Sequence, residues 1–506
     1  MEASGPTTSR VPNVAAVLVG LAVVAGIVAR LYSRSDLWLD EALTVNIAKL
    51  SVGDLLSWLK HDGHPPLYYL LLHFWIEIFG ESDEAVRSLS GVFSIATLPL
   101  IWLAGRRYGG RIAATSALVL LATSPFAVRY GTEARMYSFV MLLVVAGWLL
   151  VYDAIEQPST WRLVAIAVVS GLLGLSHYWG LYILAATALL LLWLWRRGRN
   201  AALRVAIAIA AGGVLFLPWL PSFLSQAAHT GTPWGRPERP TNVLAITFTD
   251  WGGGPNGEAQ TIGILLVILL LLALFGRAVD RDRVELDLRT QPRGRPEIAV
   301  NIVTFLIATV IAYATGGAFA SRYTAVVFPL VVLLAGLGLS RFADTRVVAV
   351  ALVGVALLGL IGSSRVVRGE RTQLGLLASY ITEQGNPGDV IGFCPDQLGP
   401  ATMRHIPEGF TGLTFPNGGD PHLVDWVDYE ERQKAGSPRD FAALLDQRGG
   451  DHTVWVVWSA GYRTLERRCE RSMHLLKKLR PGCSAVRASG PQFEHGWLYQ
   501  CGPVPH

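Results

Sequence analysis

The chain has 506 residues, of which 51% are hydrophobic and 16% charged, with a net charge of +5. A soluble globular domain carries about 25% charged residues, so this composition excludes an ordinary soluble fold and indicates a polytopic membrane protein. The basic excess sits mostly in short loops between apolar runs, where membrane orientation explains it without a nucleic-acid partner.

The apolar runs are roughly 17–22 residues long, enough at about 1.5 Å per residue to cross a hydrocarbon core of about 30 Å. Single runs of this kind span lipid only as helices, because every backbone polar group must find its partner within the segment. The pattern predicts eleven spans, near residues 14–33, 88–105, 112–128, 136–153, 162–176, 180–195, 203–221, 260–276, 298–315, 323–340 and 345–363. After a polar stretch of 13 residues, Asn13 to Ser33 is too long for a signal-peptide core, and no small-x-small cleavage site follows it. It is read as a retained span. Alternate loops then divide by charge. One set is rich in arginine, Arg106, Arg107, Arg196, Arg197, Arg293 and Arg295 among them, and the positive-inside rule makes that set cytoplasmic. The N-terminus is then inside, and residues 34–87 and everything after the last span are outside. The charged segment 280–296 reads as a cytoplasmic loop, and the Pro- and Gly-rich segment 223–258 as a mobile outer loop.

The first outer loop, residues 34–87 with interfacial helices, opens on Trp38-Leu39-Asp40-Glu41. If this stretch is helical, Asp40 and Glu41 point about 100° apart and only one faces a given pocket. A carboxylate at a partly dry interface suits a general base; a solvated acidic turn is the plain alternative. His64-Pro65-Pro66-Leu67-Tyr68-Tyr69 follows. Proline is favoured in a first helical turn, so a helix start lies beside His64, and free N–H groups plus an imidazole make an anion site. Tyr68 belongs to the same candidate site. An ordinary capped interfacial helix is the competing reading.

Tyr130-Gly131-Thr132-Glu133-Ala134-Arg135-Met136-Tyr137 joins the third and fourth spans. Glu133 and Tyr137, four apart, are expected on one helix face. There Glu133 would orient an acceptor sugar and Arg135 would pair with an acid or phosphate; an interfacial anchor is equally consistent. His177-Tyr178-Trp179 ends the fifth span, where aromatic-belt residues are the default and His177 is more simply structural. Asp250-Trp251 before three glycines reads as a solvated loop tip. Arg322-Tyr323 opens the tenth span from the outside, against the charge bias. Such an arginine either snorkels or holds a lipid phosphate through its planar fork.

Residues 364–506 change character. Strand-like runs Asp389–Cys394 and Thr453–Ser459 alternate with helical patterns near 373–384, 438–448 and 464–479, a small α/β domain. All four cysteines, Cys394, Cys469, Cys483 and Cys501, lie there, on the side placed outside. They suggest up to two disulfides, with three possible connectivities. The chain has no P-loop, no G-x-G-x-x-G fingerprint and no zinc-type spacing, so no cofactor and no metal are expected.

Laid out in order, these motifs resemble the GT-C superfamily of glycosyltransferases, in the family 39-like branch of protein O-mannosyltransferases and lipid A aminoarabinose transferases. The resemblance is best from Leu37 to about Leu150 and resumes at His177-Tyr178 and Arg322-Tyr323…Pro329. It implies a GT-C-like membrane domain over residues 1–363 and leaves the extracytoplasmic 364–506 domain without a counterpart. It also implies a polyprenyl-phosphate sugar as donor, transfer outside the cytoplasm, inversion at the anomeric carbon, and Asp40 as base. Several relatives carry Lys where this chain has His64. The expected enzyme moves mannose or arabinose from the lipid-linked donor to a cell-envelope glycan, glycolipid or protein. Asp40 and Glu41 are the catalytic candidates. His64, Tyr68, Glu133, Arg135, Tyr137, His177, Arg322 and Tyr323 are the binding candidates. The rival classes are a flippase or secondary transporter, whose ionisable groups would sit at mid-bilayer on repeated halves, and a non-catalytic cell-wall-binding scaffold.

Overall fold

The computed structural model describes residues 11–233, 235–280 and 283–503. The polar stretch ahead of the first span lies, up to residue 10, outside the described residues. Seven described helices are long and apolar enough to cross a membrane, and the predicted runs at 14–33, 162–176 and 323–340 form shorter apolar helices.

Local chemistry sets the breaks. Ser82 caps the helix Asp83–Thr123 by accepting the Ala85 N–H, with Asp83 and Glu84 in its first turn. Residues 83–123 hold the 88–105 run and most of the 112–128 run as two helical segments, because Gly110, at φ +78° and ψ −164°, breaks the helix between them. Ser124 then caps a separate short helix, Pro125–Gly131. The 323–340 run begins as a 3₁₀ segment, Ser321–Val326, and becomes α-helical only over Phe328–Leu339. All residues of Phe328–Leu339 are buried, as an all-round apolar helix requires. Gly336 and Gly338 allow this, since a Cβ at either would collide with the Ala113 or Leu269 carbonyl. The 223–258 segment is more ordered than its composition suggests, with helices Leu220–His229 and Pro240–Trp251, the second started by proline.

After the helix Thr345–Arg368 the chain forms a five-stranded mixed sheet. Val390–Cys394, buried throughout, pairs in parallel with Thr411–Thr414 on one side and Val454–Trp458 on the other. Trp497–Cys501 and Ser484–Arg487 extend the sheet antiparallel. The last two strands and Thr411–Thr414 were not legible in sequence. Disulfides join Cys394 to Cys469 and Cys483 to Cys501.

The sheet domain is bonded directly to the first loop. Arg404 Nε donates to Asp83 Oδ1 at 2.8 Å, Asn46 Nδ2 to the His422 carbonyl at 2.7 Å, and the Trp426 N–H to the His61 carbonyl at 2.9 Å.

Candidate active site

Asp40 and Glu41 fall in the first turn of the helix Leu39–Ala48 and diverge as helical neighbours must. Trp38 gives this helix no side-chain cap. The Glu494 carboxylate does so instead: both of its oxygens lie 3.2 Å from the Leu39 N–H. Burial pushes the Glu494 carboxyl up to about 8, with Asp40 and Glu41 adding repulsion.

Glu41 turns inward and is fully buried. Arg87 grips it with Nε and Nη2, each at 2.7 Å. Oε1 also accepts the Ala134 N–H at 2.9 Å, and Arg371 Nη1 lies 3.5 Å from Oε2. Arg87 spends its remaining donors on the Ser35 and Asp36 carbonyls. A carboxylate so occupied ties the first loop to the bundle. Asp40 turns the other way, 17% exposed, with Arg322 Nη2 3.5 Å from its Oδ2. The Arg322 guanidinium lies over the Trp38 and Tyr323 rings at 5.6 and 5.9 Å.

His64 sits before the helix Leu67–Phe79, between Asp62 and Arg135. Arg135 Nη2 donates to His64 Nε2 at 2.8 Å. A guanidinium has no acceptor, so the imidazole hydrogen is on Nδ1, donated to Asp62 Oδ2 at 3.1 Å. Asp62 also accepts from Tyr69 Oη at 2.5 Å. Burial alone would raise the Asp62 carboxyl, but His64, Arg135 and Tyr69 outweigh it and hold it below its ordinary value. Arg135 completes the knot through Nη1, which donates to Thr44 Oγ1 at 2.7 Å, Tyr69 Oη at 3.2 Å and the Asp40 carbonyl at 3.5 Å. Through these bonds Arg135 ties the Asp40 helix to the His64 turn.

Residues 132–136 form a bend and the next helix begins at Tyr137, so Glu133 and Tyr137 do not share a helix face. The chain unwinds there to present the Ala134 N–H to Glu41. Glu133 is fully buried, 3.0 Å from Arg129 and 3.9 Å from Arg371. Burial raises its carboxyl to about 7 against the pull of Arg129. Tyr68 is likewise a core residue, its hydroxyl 2.7 Å from Ser90 Oγ.

His177 caps the helix Thr160–Ser176 in an extended conformation, and its Nδ1 accepts the Trp179 N–H at 3.1 Å. Its ring lies 5.7 Å from Tyr137 and 5.3 Å from Tyr323. Burial, then the nearby His64, Arg135 and Arg322, hold its pKa well below the ordinary value. Asp250 is no loop tip: it ends a helix and accepts a hydrogen bond from Ser321, next to Arg322. A cavity of about 350 Å³ opens between His64, His177, Trp179 and Tyr323 and runs along the helix Arg295–Thr315. Among the described residues no group of three or more His, Cys, Asp or Glu is placed to hold a metal ion.

Sequence reasoning missed Arg371, Asp62 and Glu494, and met Arg87 only as the end of the Gly80…Arg87 stretch within the family resemblance, with no role assigned. The two arginines carried a signal, since both run against the positive-inside bias as Arg322 does. Glu494 carried none, being 455 residues from the N–H it caps.

A family model described as dolichyl-phosphate-mannose-protein mannosyltransferase matches residues 63–221, the segment holding His64, Glu133, Arg135, Tyr137 and His177. Among curated proteins none matches the sequence. Among solved structures, apo ArnT from Cupriavidus metallidurans is similar with a TM-score of 0.66 at 14% identity, over 97% of this chain and 98% of that one. The same protein bound to undecaprenyl phosphate gives 0.59 at 14% identity, over the same shares. The oligosaccharyltransferase of Archaeoglobus fulgidus, in complex with zinc and sulfate, gives 0.51 at 12% identity, over 95% of this chain and 72% of that one. The structural likeness shows a fold shared with these membrane enzymes, and the family model matches the segment that carries most of the candidate site.

Proposed function

We propose that the protein transfers a sugar, mannose or arabinose, from a polyprenyl-phosphate donor to a cell-envelope glycan, glycolipid or protein outside the cytoplasm, with inversion. The observation that carries this is the meeting of Asp40 and Arg322 at 3.5 Å, beside the cavity lined by His64, His177 and Tyr323. The undecaprenyl phosphate bound to ArnT supports a lipid-phosphate donor. The disulfides of the sheet domain, bonded to the loop that carries Asp40, support an oxidising compartment for this end of the molecule.

In this reading the donor phosphate takes the Arg322 fork, and the guanidinium contact with Asp40 passes to the phosphate. Asp40 then accepts the proton of the acceptor hydroxyl as its oxygen attacks the anomeric carbon in line. The carbon–phosphate oxygen bond breaks, and polyprenyl phosphate leaves as an anion that needs charge stabilisation and no proton. Glu41, Glu133 and Arg135 position the loop and the Asp40 helix. His177 and Tyr323 form the wall against which the sugar rests, and Tyr137 packs behind His177. The test incubates purified protein with a panel of polyprenyl-phosphate sugars and measures release of polyprenyl phosphate. Release from none of them defeats the reading.

A further inference from the structure

The sheet domain holds a second cavity that the transfer site does not use. In open parallel sheets, ligands sit outside the carboxyl ends of the strands. Here the chain leaves Val390–Cys394 through Asp396 and leaves Thr411–Thr414 through Phe415 and Asn417. A cavity of about 360 Å³ lies at those ends, closed on one side by Trp58 from the first loop. That volume falls within the roughly 300–1,000 Å³ of small-ligand clefts.

The lining selects a ligand class. Asn417, Asp420, Asp425 and Arg432 present planar amide, carboxylate and guanidinium groups, while Trp58 and Phe415 present aromatic surface. Carboxylates outnumber the one arginine, which disfavours phosphates and other anions. Groups that donate and accept in one plane suit paired hydroxyls, and aromatic faces suit C–H surfaces. A buried indole N–H normally finds a partner, yet Trp58 Nε1 is buried without one. The cavity is linked to the first loop ahead of His64. Trp58 stacks on His61 at 5.3 Å, and His61 Nδ1 lies 3.1 Å from Asp425 Oδ1, three residues before His64.

We propose that this cavity binds a neutral glycan, holding the acceptor at a sugar remote from its reacting hydroxyl. The proposal rests on the glycosyltransferase reading for the word acceptor, but binding is measured without turnover.

The probes are neutral oligosaccharides of mannose, arabinose or galactose, added to the full-length protein in nanodiscs without donor and followed by saturation-transfer NMR. At least one is expected to bind saturably. Trp58→Phe and the exposed Asn417→Ala are each expected to weaken it about tenfold. In transfer assays both variants should raise the acceptor KM by a similar factor, with kcat and the donor KM unchanged. Binding by none of the oligosaccharides, binding unaffected by both variants, or preferential binding of a basic tetrapeptide overturns the proposal. Release of polyprenyl phosphate with an acceptor KM indifferent to both variants also overturns it and leaves the transferase reading standing. Saturable glycan binding lost in both variants, with no release from any donor, supports the cavity and defeats the transferase reading instead.

Discussion

Arg322 holds the tip of Asp40 at 3.5 Å by one nitrogen, whereas Arg87 grips the adjacent Glu41 by two at 2.7 Å. Neighbouring acids on one helical turn thus meet two different arginines. A bidentate, buried pair is fixed, and a single long contact leaves its carboxylate able to exchange partners. The assignment of Asp40 as base and Glu41 as a structural anchor rests on that difference.

Asp40→Asn keeps the shape of the side chain and removes its basicity. Turnover is expected to fall by about 10²–10⁴, the usual range for general-base help, with the melting temperature in detergent unchanged. Near-normal release of polyprenyl phosphate by this variant would end the assignment.

Glu41→Ala is expected to behave in the opposite way. Removing one partner of a buried ion pair costs about 3–5 kcal/mol, because the other charge is stranded. Arg87 and Arg371 would both be left facing the gap. The variant should melt early and express poorly, a result that size-exclusion and thermal-shift measurements will show directly. A stable, monodisperse but inactive protein would instead move Glu41 into the chemistry.

Substitution of Arg322 separates donor from acceptor. Arg322→Lys preserves charge but not the planar fork, and it should raise the donor KM by about tenfold or more while sparing the acceptor KM. Equal effects on both substrates would count against a phosphate at this arginine.

His64 offers a test against the resemblance itself. Because Arg135 donates to its Nε2, the position requires an acceptor. His64→Gln supplies one and should retain most stability. His64→Lys, despite being the residue of several relatives, would set a second cation against Arg135 and should lower both melting temperature and turnover. A lysine variant equal to the parent in both measurements would refute the assigned tautomer.

Glu494 predicts a pH dependence. Its carboxyl is raised to about 8 in the folded protein from an ordinary value of 4.5. Between those values the unfolded chain has lost a proton that the folded one keeps, so stability falls as pH rises through this window. Glu494→Gln preserves an acceptor for the Leu39 N–H and has no proton to lose. Its melting temperature should vary less between pH 5 and pH 8 than that of the parent, a difference that parallel thermal shifts will measure.

The helices were legible because their signal is local: an unbroken apolar run needs no distant partner to declare itself. The 323–340 run misled because its start falls within the 3₁₀ segment Ser321–Val326, which sets Arg322 over Trp38. Glu133 and Tyr137 misled for a related reason. Their spacing fits a helix, but the Ala134 N–H is claimed by Glu41, and the backbone opens to deliver it. Asp40, His64 and Arg322 stood out because chemistry-bearing residues at span ends are rare. Edge strands such as Thr411–Thr414, short and only partly buried, carry too few residues for an alternating pattern.

The bond from Glu494 to the Leu39 N–H has a consequence for biosynthesis. The helix bearing Asp40 is made 455 residues ahead of its cap, which must come to lie on the same side of the bilayer. The bundle therefore inserts with its reactive helix unfinished. Until Glu494 folds back onto the first loop, the first turn of that helix lacks its carboxylate cap.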